Sequence, residues 1–144
     1  MKKHILLFSF LFSACLLLKG QSADPVVSRC IMSAGKDGTY LKDFRIQLGM
    51  GDPGDDFRYK ANIYLWKNTK YRFTMCNSTG SKGDLVMTIS DDSNNTVLTS
   101  FDERSGNTLP YVEFTSVKSG IYKLNFDFLN RQPGSGIGVV SMIN

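Results

Sequence analysis

The chain has 144 residues and a formal charge of +4, from 17 lysines and arginines against 13 aspartates and glutamates, with a single histidine, His4. Lys2, Lys3 and Lys19 flank an N-terminal apolar run. Without them fourteen basic residues face thirteen acidic ones, and a net charge of +1 gives no electrostatic case for nucleic acid or an anionic membrane as partner.

In chain order, Met1-Lys2-Lys3-His4, the 14-residue run Ile5 to Leu18 and Lys19-Gly20-Gln21-Ser22-Ala23 have the charged, apolar and small-residue order of a secretory signal. The run is shorter than the roughly 18 residues a spanning helix needs. The expectation is a cleaved signal over 1–20, cut between Gly20 and Ala23, no membrane span, and an exported protein of periplasmic or extracellular address. Phe12-Ser13-Ala14-Cys15 resembles a bacterial lipobox and offers anchoring through Cys15 as the alternative. Leu16-Leu17-Leu18 stands where a polar tether is expected, which favours cleavage near Gln21. Residues 21–38 read as a loose N-terminal arm and 39–144 as one β-sandwich domain. With Cys15 in the signal, Cys30 and Cys76 form an even pair in an oxidising compartment, read as a structural disulfide, with two buried free thiols as the alternative.

After residue 38 the apolar residues alternate with period two, and no stretch of a dozen residues carries a 3.6-residue stripe. In Asp43 to Met50 the inward set is Phe44, Ile46, Leu48 and Met50; in Tyr122 to Phe128 it is Tyr122, Leu124, Phe126 and Phe128, with Lys123, Asn125 and Asp127 outward. Further strands are expected at Phe57 to Trp66, Lys70 to Cys76, Leu85 to Ser90, Thr96 to Phe101, Tyr111 to Val117 and Gly136 to Ile143. Turn-rich segments separate them, among them Gly51-Asp52-Pro53-Gly54, Asn77-Ser78-Thr79-Gly80, Asp91-Asp92-Ser93-Asn94-Asn95 and Arg104-Ser105-Gly106-Asn107. About eight short strands at this spacing predict an all-β, antiparallel two-sheet sandwich of Greek-key or jelly-roll type.

Three blocks carry a family likeness: Leu65-Trp66-Lys67-Asn68-Thr69-Lys70-Tyr71-Arg72-Phe73-Thr74, Gly83-Asp84-Leu85-Val86-Met87-Thr88-Ile89-Ser90-Asp91, and Val112 to Leu124 with its Gly120-Ile121-Tyr122 signature. Over about residues 57–129 the chain resembles the bacterial pre-peptidase C-terminal domain, a small secreted β-sandwich often appended to exported enzymes. The resemblance implies a non-catalytic module that binds carbohydrate or protein polymers or aids export, sometimes with calcium. With no enzyme domain beside the sandwich, the expected role is a stand-alone envelope or extracellular binding protein.

The residues themselves offer three kinds of site. Outside the signal there is no histidine for a Ser-His-Asp or Cys-His arrangement, and the carboxylate pairs Asp55-Asp56 and Asp102-Glu103 are adjacent, so on a strand their side chains would diverge. A small carboxylate-based hydrolase is thus the least favoured reading, and the protein is expected not to be an enzyme. Asp52, Asp55 and Asp56 around Pro53-Gly54 form an oxygen-rich turn of the kind calcium uses, as do Asp91, Asp92, Asn94 and Asn95, although the same residues are ordinary turn formers. A calcium-stabilised structural or assembly module of the cell envelope follows from that reading. If Tyr59, Ala61, Ile63 and Leu65 face the core, then Lys60, Asn62, Tyr64 and Trp66 face outward, and Tyr64 with Trp66 makes an aromatic platform for a polysaccharide or an envelope protein. Gly134-Ser135-Gly136-Ile137-Gly138 lacks the lysine and helix of a phosphate loop and reads as a turn entering the last strand.

Overall fold

The computed structural model describes residues 25–144. The expected signal over 1–20, with His4 and Cys15, and the first residues of the arm lie outside the described residues. The chain runs through helix α1 (Pro25–Ser33) and strands β1 (Gly38–Leu48), β2 (Tyr59–Leu65), β3 (Lys70–Asn77), β4 (Leu85–Ser90), β5 (Thr96–Thr99), β6 (Phe101–Asp102), β7 (Asn107–Thr108), β8 (Tyr111–Thr115), β9 (Gly120–Phe128) and β10 (Gly134–Ile143), with a 3-10 turn at Leu129–Arg131.

Two antiparallel four-stranded sheets, β1-β10-β3-β8 and β2-β9-β4-β5, pack face to face, with β6 and β7 as a separate short hairpin. The pairs are nested, β1 with β10, β2 with β9, β3 with β8 and β4 with β5. That is a long hairpin rolled onto itself, the jelly-roll winding, and it accounts for eight of the ten strands. The other two arise because the expected strand Thr96 to Phe101 breaks at Ser100. This serine is fully buried, its backbone N–H donates to the Met87 carbonyl at 2.9 Å, and its Oγ accepts from the Met87 N–H at 2.8 Å. The chain leaves the β4 edge there and turns back at Gly106 (φ +71°), a left-handed position that suits glycine.

Alternation sets the core. Phe44, Ile46, Leu65, Tyr71, Phe73, Met87, Ile89, Tyr122, Leu124, Phe126 and Phe128 all point between the sheets and are buried. The first of the expected strands stops at Leu48, leaving Met50 exposed rather than inward. The glycine-rich segment proves to be strand, not turn, from Gly134 on. A Cβ at Gly134 would lie 2.4 Å from the Phe128 ring and one at Gly138 2.6 Å from the Phe126 ring, so the large side chains of β9 occupy the room that β10 leaves.

Where a loose arm was expected, residues 25–33 form α1, packed on the outer face of the first sheet. Val27, Cys30 and Ala34 recur at helical spacing and bury against Ile137 and Val139. Cys30 and Cys76 are bonded, with Sγ atoms 2.13 Å and Cα atoms 5.8 Å apart, so a disulfide latches the helix to β3. Arg72 adds a polar latch, donating to the Ala34 carbonyl and to the carboxylates of Asp37 and Glu113 at 2.8 and 2.7 Å. No helix among the described residues is long and apolar enough to cross a membrane.

The bridge closes a separation of 46 residues. In the chain-entropy account this is a stabilisation of about 4 kcal/mol. Replacing both Cys30 and Cys76 by Ser should therefore lower the unfolding free energy in a urea titration by roughly 2–4 kcal/mol; a midpoint shared with the parent protein would refute the latch.

Candidate functional site

With α1 on the first sheet, no helix among the described residues covers the outer face of β2-β9-β4-β5. Strand alternation puts every second residue of each strand on it, and the register aligns these residues in rows. Lys60, Asn125, Thr88 and Thr99 form one row, Asn62, Lys123, Ser90 and Thr96 the next, and Tyr64 with Ile121 a third. The face is concave. One hollow of about 490 Å³ is lined by the first two rows except Thr99, together with Asp56, Phe57 and Asn94. A second, of about 530 Å³, extends past Val86 to Phe101, Leu129 and Arg131. Both include Phe57, Thr88 and Thr96, so they join as one trough along the strands.

The lips of the trough are held by turn chemistry. The Asp91 carboxylate accepts from the backbone N–H groups of Ser93 and Asn95, both at 2.9 Å, bonds that hold its pKa below the ordinary carboxylate value. They fix the turn in which Asn94 is left-handed (φ +63°), and Asn94 Oδ1 there accepts from Lys123 Nζ. On the other lip Lys60 Nζ meets Asp56 at 2.6 Å, and within the trough Asn125 Nδ2 donates to Thr88 Oγ1 at 3.3 Å.

Asp127 was expected on a solvated face. It does lie on the outer side of β9, but it is only 2% exposed because two arginines close over it. Arg58 donates through Nε at 3.0 Å and Nη2 at 2.7 Å, Arg131 through Nη1 at 2.6 Å, and the Phe128 N–H at 2.6 Å. Arg131 reaches back because Asn130 and Arg131 both adopt φ +57°. Burial pushes the Asp127 carboxyl upward in pKa, but the bonds from Arg58, Phe128 and Arg131 outweigh it and hold it below its ordinary 3.8. The cluster walls one end of the trough. A sequence reading had one signal for it, the Asp127–Arg131 spacing of four, which on a strand carries no meaning; only the 3-10 turn makes the two side chains neighbours.

Tyr64 and Trp66 stand where alternation puts them. They are 51% and 65% exposed, with ring centroids 5.1 Å apart at 69°, an edge-to-face pair beside exposed Ile121. Tyr64 is two residues along β2 from Asn62, so the pair continues the trough beyond its second row. The Trp66 N–H donates to Tyr71 Oη at 2.8 Å, which anchors the backbone under the free indole. Sequence reasoning placed this pair outside but did not find the Lys60, Asn62, Lys123 and Asn125 trough beside it.

The expected calcium turns are not brought together. Asp56 turns to Lys60, Asp55 Oδ2 accepts from the Asp52 N–H at 3.3 Å, and no group of three or more His, Cys, Asp or Glu among the described residues is placed to hold a metal ion. Asp55 and Asp56 are thus used within and beside their own turn, and Asp102 is likewise used locally, accepting from the Arg104 N–H and Ser105 Oγ. No protein-family model matches the chain, and no curated protein matches its sequence.

Removing the Asp127 charge leaves two half-buried arginines short of a partner. Asp127→Asn should cost about 3 kcal/mol near neutral pH. Because the native pKa is lowered, this stabilisation is complete above about pH 4 and is lost as pH falls through the native value. Urea titrations of parent and variant should accordingly converge in acid; a gap independent of pH would contradict the assignment.

Proposed function

We propose that this is an exported, non-catalytic β-sandwich module that binds a polysaccharide along the outer face of β2-β9-β4-β5. The observation that carries the reading is the trough itself, a hollow of amides, hydroxyls and lysines joined to a more apolar one and continued by an exposed aromatic pair, on the side of the sandwich that no helix among the described residues covers. Its walls offer what a sugar chain asks of a protein. Amides, hydroxyls and ammonium groups can exchange hydrogen bonds with ring hydroxyls, and an indole or phenol face can pack on the apolar face of a pyranose. An elongated trough suits a chain rather than a single sugar, since the span from Phe57 to Tyr64 is about 23 Å at the rise of a strand.

The non-catalytic part of the reading is supported by the state of the acids. Glycoside cleavage needs two carboxylates facing each other across the bond, whereas of the acids lining the trough Asp56 and Asp127 are committed to Lys60 and to Arg58 with Arg131, which leaves Glu103 by itself. The likeness to pre-peptidase C-terminal domains over residues 57–129 points the same way.

The test is retention of the purified protein on a panel of insoluble polysaccharides. Trp66→Ala should weaken retention by roughly tenfold or more. Because the side chain is exposed, the melting temperature should move by no more than about 3 °C. Absence of retention on every glycan, or capture of a single envelope protein unaffected by Trp66→Ala, would overturn the proposal in favour of a protein-binding or assembly role.

A further inference from the structure

The cations of the trough are not equivalent, and the difference narrows the class of glycan. Lys60 is paired with Asp56, and Arg58 and Arg131 are spent on the buried Asp127. Lys123 has no carboxylate. Among the described residues its ammonium meets only the neutral Oδ1 of Asn94. Nor is it a lysine at a sheet edge with its head in open water. It sits half-buried on β9, an inner strand, between Asn62 and Ser90 in the register, and the Asp91-tied turn holds Asn94 so that the ammonium stays over the hollow.

Nearby, Asp92 pairs with Lys118 at 3.0 Å, and Asp91 is hydrogen-bonded within its own turn. Of the residues lining the first hollow, Asp56 pairs with Lys60, which leaves Lys123 as the ammonium there without a carboxylate partner. Around it stand neutral side chains, Asn62, Ser90, Thr96 and Asn125, able to donate hydrogen bonds. A lysine ammonium has three donors and no acceptor. With one donor used on Asn94, two are directed at whatever fills the space. A neutral sugar offers these only hydroxyl oxygens; an anionic oxygen adds the attraction between opposite charges to the hydrogen bond.

We propose that the first hollow selects an anionic sugar unit, a hexose bearing a carboxylate or a sulfate ester, with Lys123 as its charge partner and Asn62 and Asn125 as neutral donors. This rests on the glycan-binding reading above and specifies its ligand.

Titration calorimetry with soluble chains tests it, using polygalacturonate, the same polymer fully methyl-esterified, a sulfated galactan and a neutral xyloglucan. Polygalacturonate or the sulfated galactan should bind at least about tenfold more tightly than the neutral chains, and raised salt should erode the preference. Preference for the first identifies a uronate, for the second a sulfate ester. Lys123→Gln should abolish the preference, while Lys123→Arg keeps it, each checked for an unchanged melting temperature. If esterified and free polymers bind alike, or Lys123→Gln leaves the preference intact, the charge selection is wrong while glycan binding stands. If no chain binds, both readings fall together.

Discussion

The contact on which the rest of the molecule depends is the fit of β9 against β10 across the sandwich. Phe126 and Phe128 project into space that β10 leaves empty by carrying Gly138 and Gly134 at the facing positions. Two sheets usually meet about 10 Å apart through interdigitating side chains; here one partner supplies aromatic bulk and the other supplies none. Because side chains alternate along a strand, fixing Tyr122, Leu124, Phe126 and Phe128 inward delivers Lys123, Asn125 and Asp127 to the outer face, and a slip of one residue would exchange the two sets. The core and the trough are thus opposite sides of one strand.

The two outer faces then diverge. On the first sheet, β10 and β3 present Ile137, Val139 and Cys76, an apolar strip that water would penalise, and α1 covers it. A nine-residue helix is too short to be stable alone, so its formation is bound to this docking, which the Cys30–Cys76 bond and the Arg72 contacts secure. On the second sheet the corresponding positions are threonine, serine, asparagine and lysine. Apart from Val86 and the exposed Tyr64 and Ile121, the face is polar, and no helix among the described residues covers it. Helix and trough are complementary results of the composition of alternating residues in the two sheets.

Charge in this protein serves mainly to close structure. Arg72 joins Asp37 to Glu113, Arg58 and Arg131 enclose Asp127, and the carboxylates of Asp91 and Asp102 tie their own turns. These groups have their partners inside the fold and little left to offer a ligand. What remains for recognition is a mixed set of amides and hydroxyls, an exposed Tyr64–Trp66 pair and the Lys123 ammonium.

Much of the architecture was legible in the residues alone. Period-two patterning located the eight sandwich strands, the cysteine count located the bridge, and the same alternation put Tyr64 and Trp66 outside, because side-chain direction on a strand is a local property. The helix escaped because nine residues lie below the length at which a 3.6-residue stripe can be told from chance, and its apolar face acquires meaning only from the strip on β10 and β3. The break at Ser100 escaped because it depends on hydrogen bonds to Met87, a strand away. Asp127 read as a surface residue because its arginines arrive from before β2 and from the turn after β9. The trough escaped for the same reason: Lys60, Asn62, Thr88, Ser90, Lys123 and Asn125 come from three strands that only the rolled topology sets side by side. Sequence by itself determined which way each strand faces, since the backbone enforces alternation residue by residue. Which strands become neighbours, and so which outward residues share a site, was decided only by the closing of the sandwich around its aromatic core.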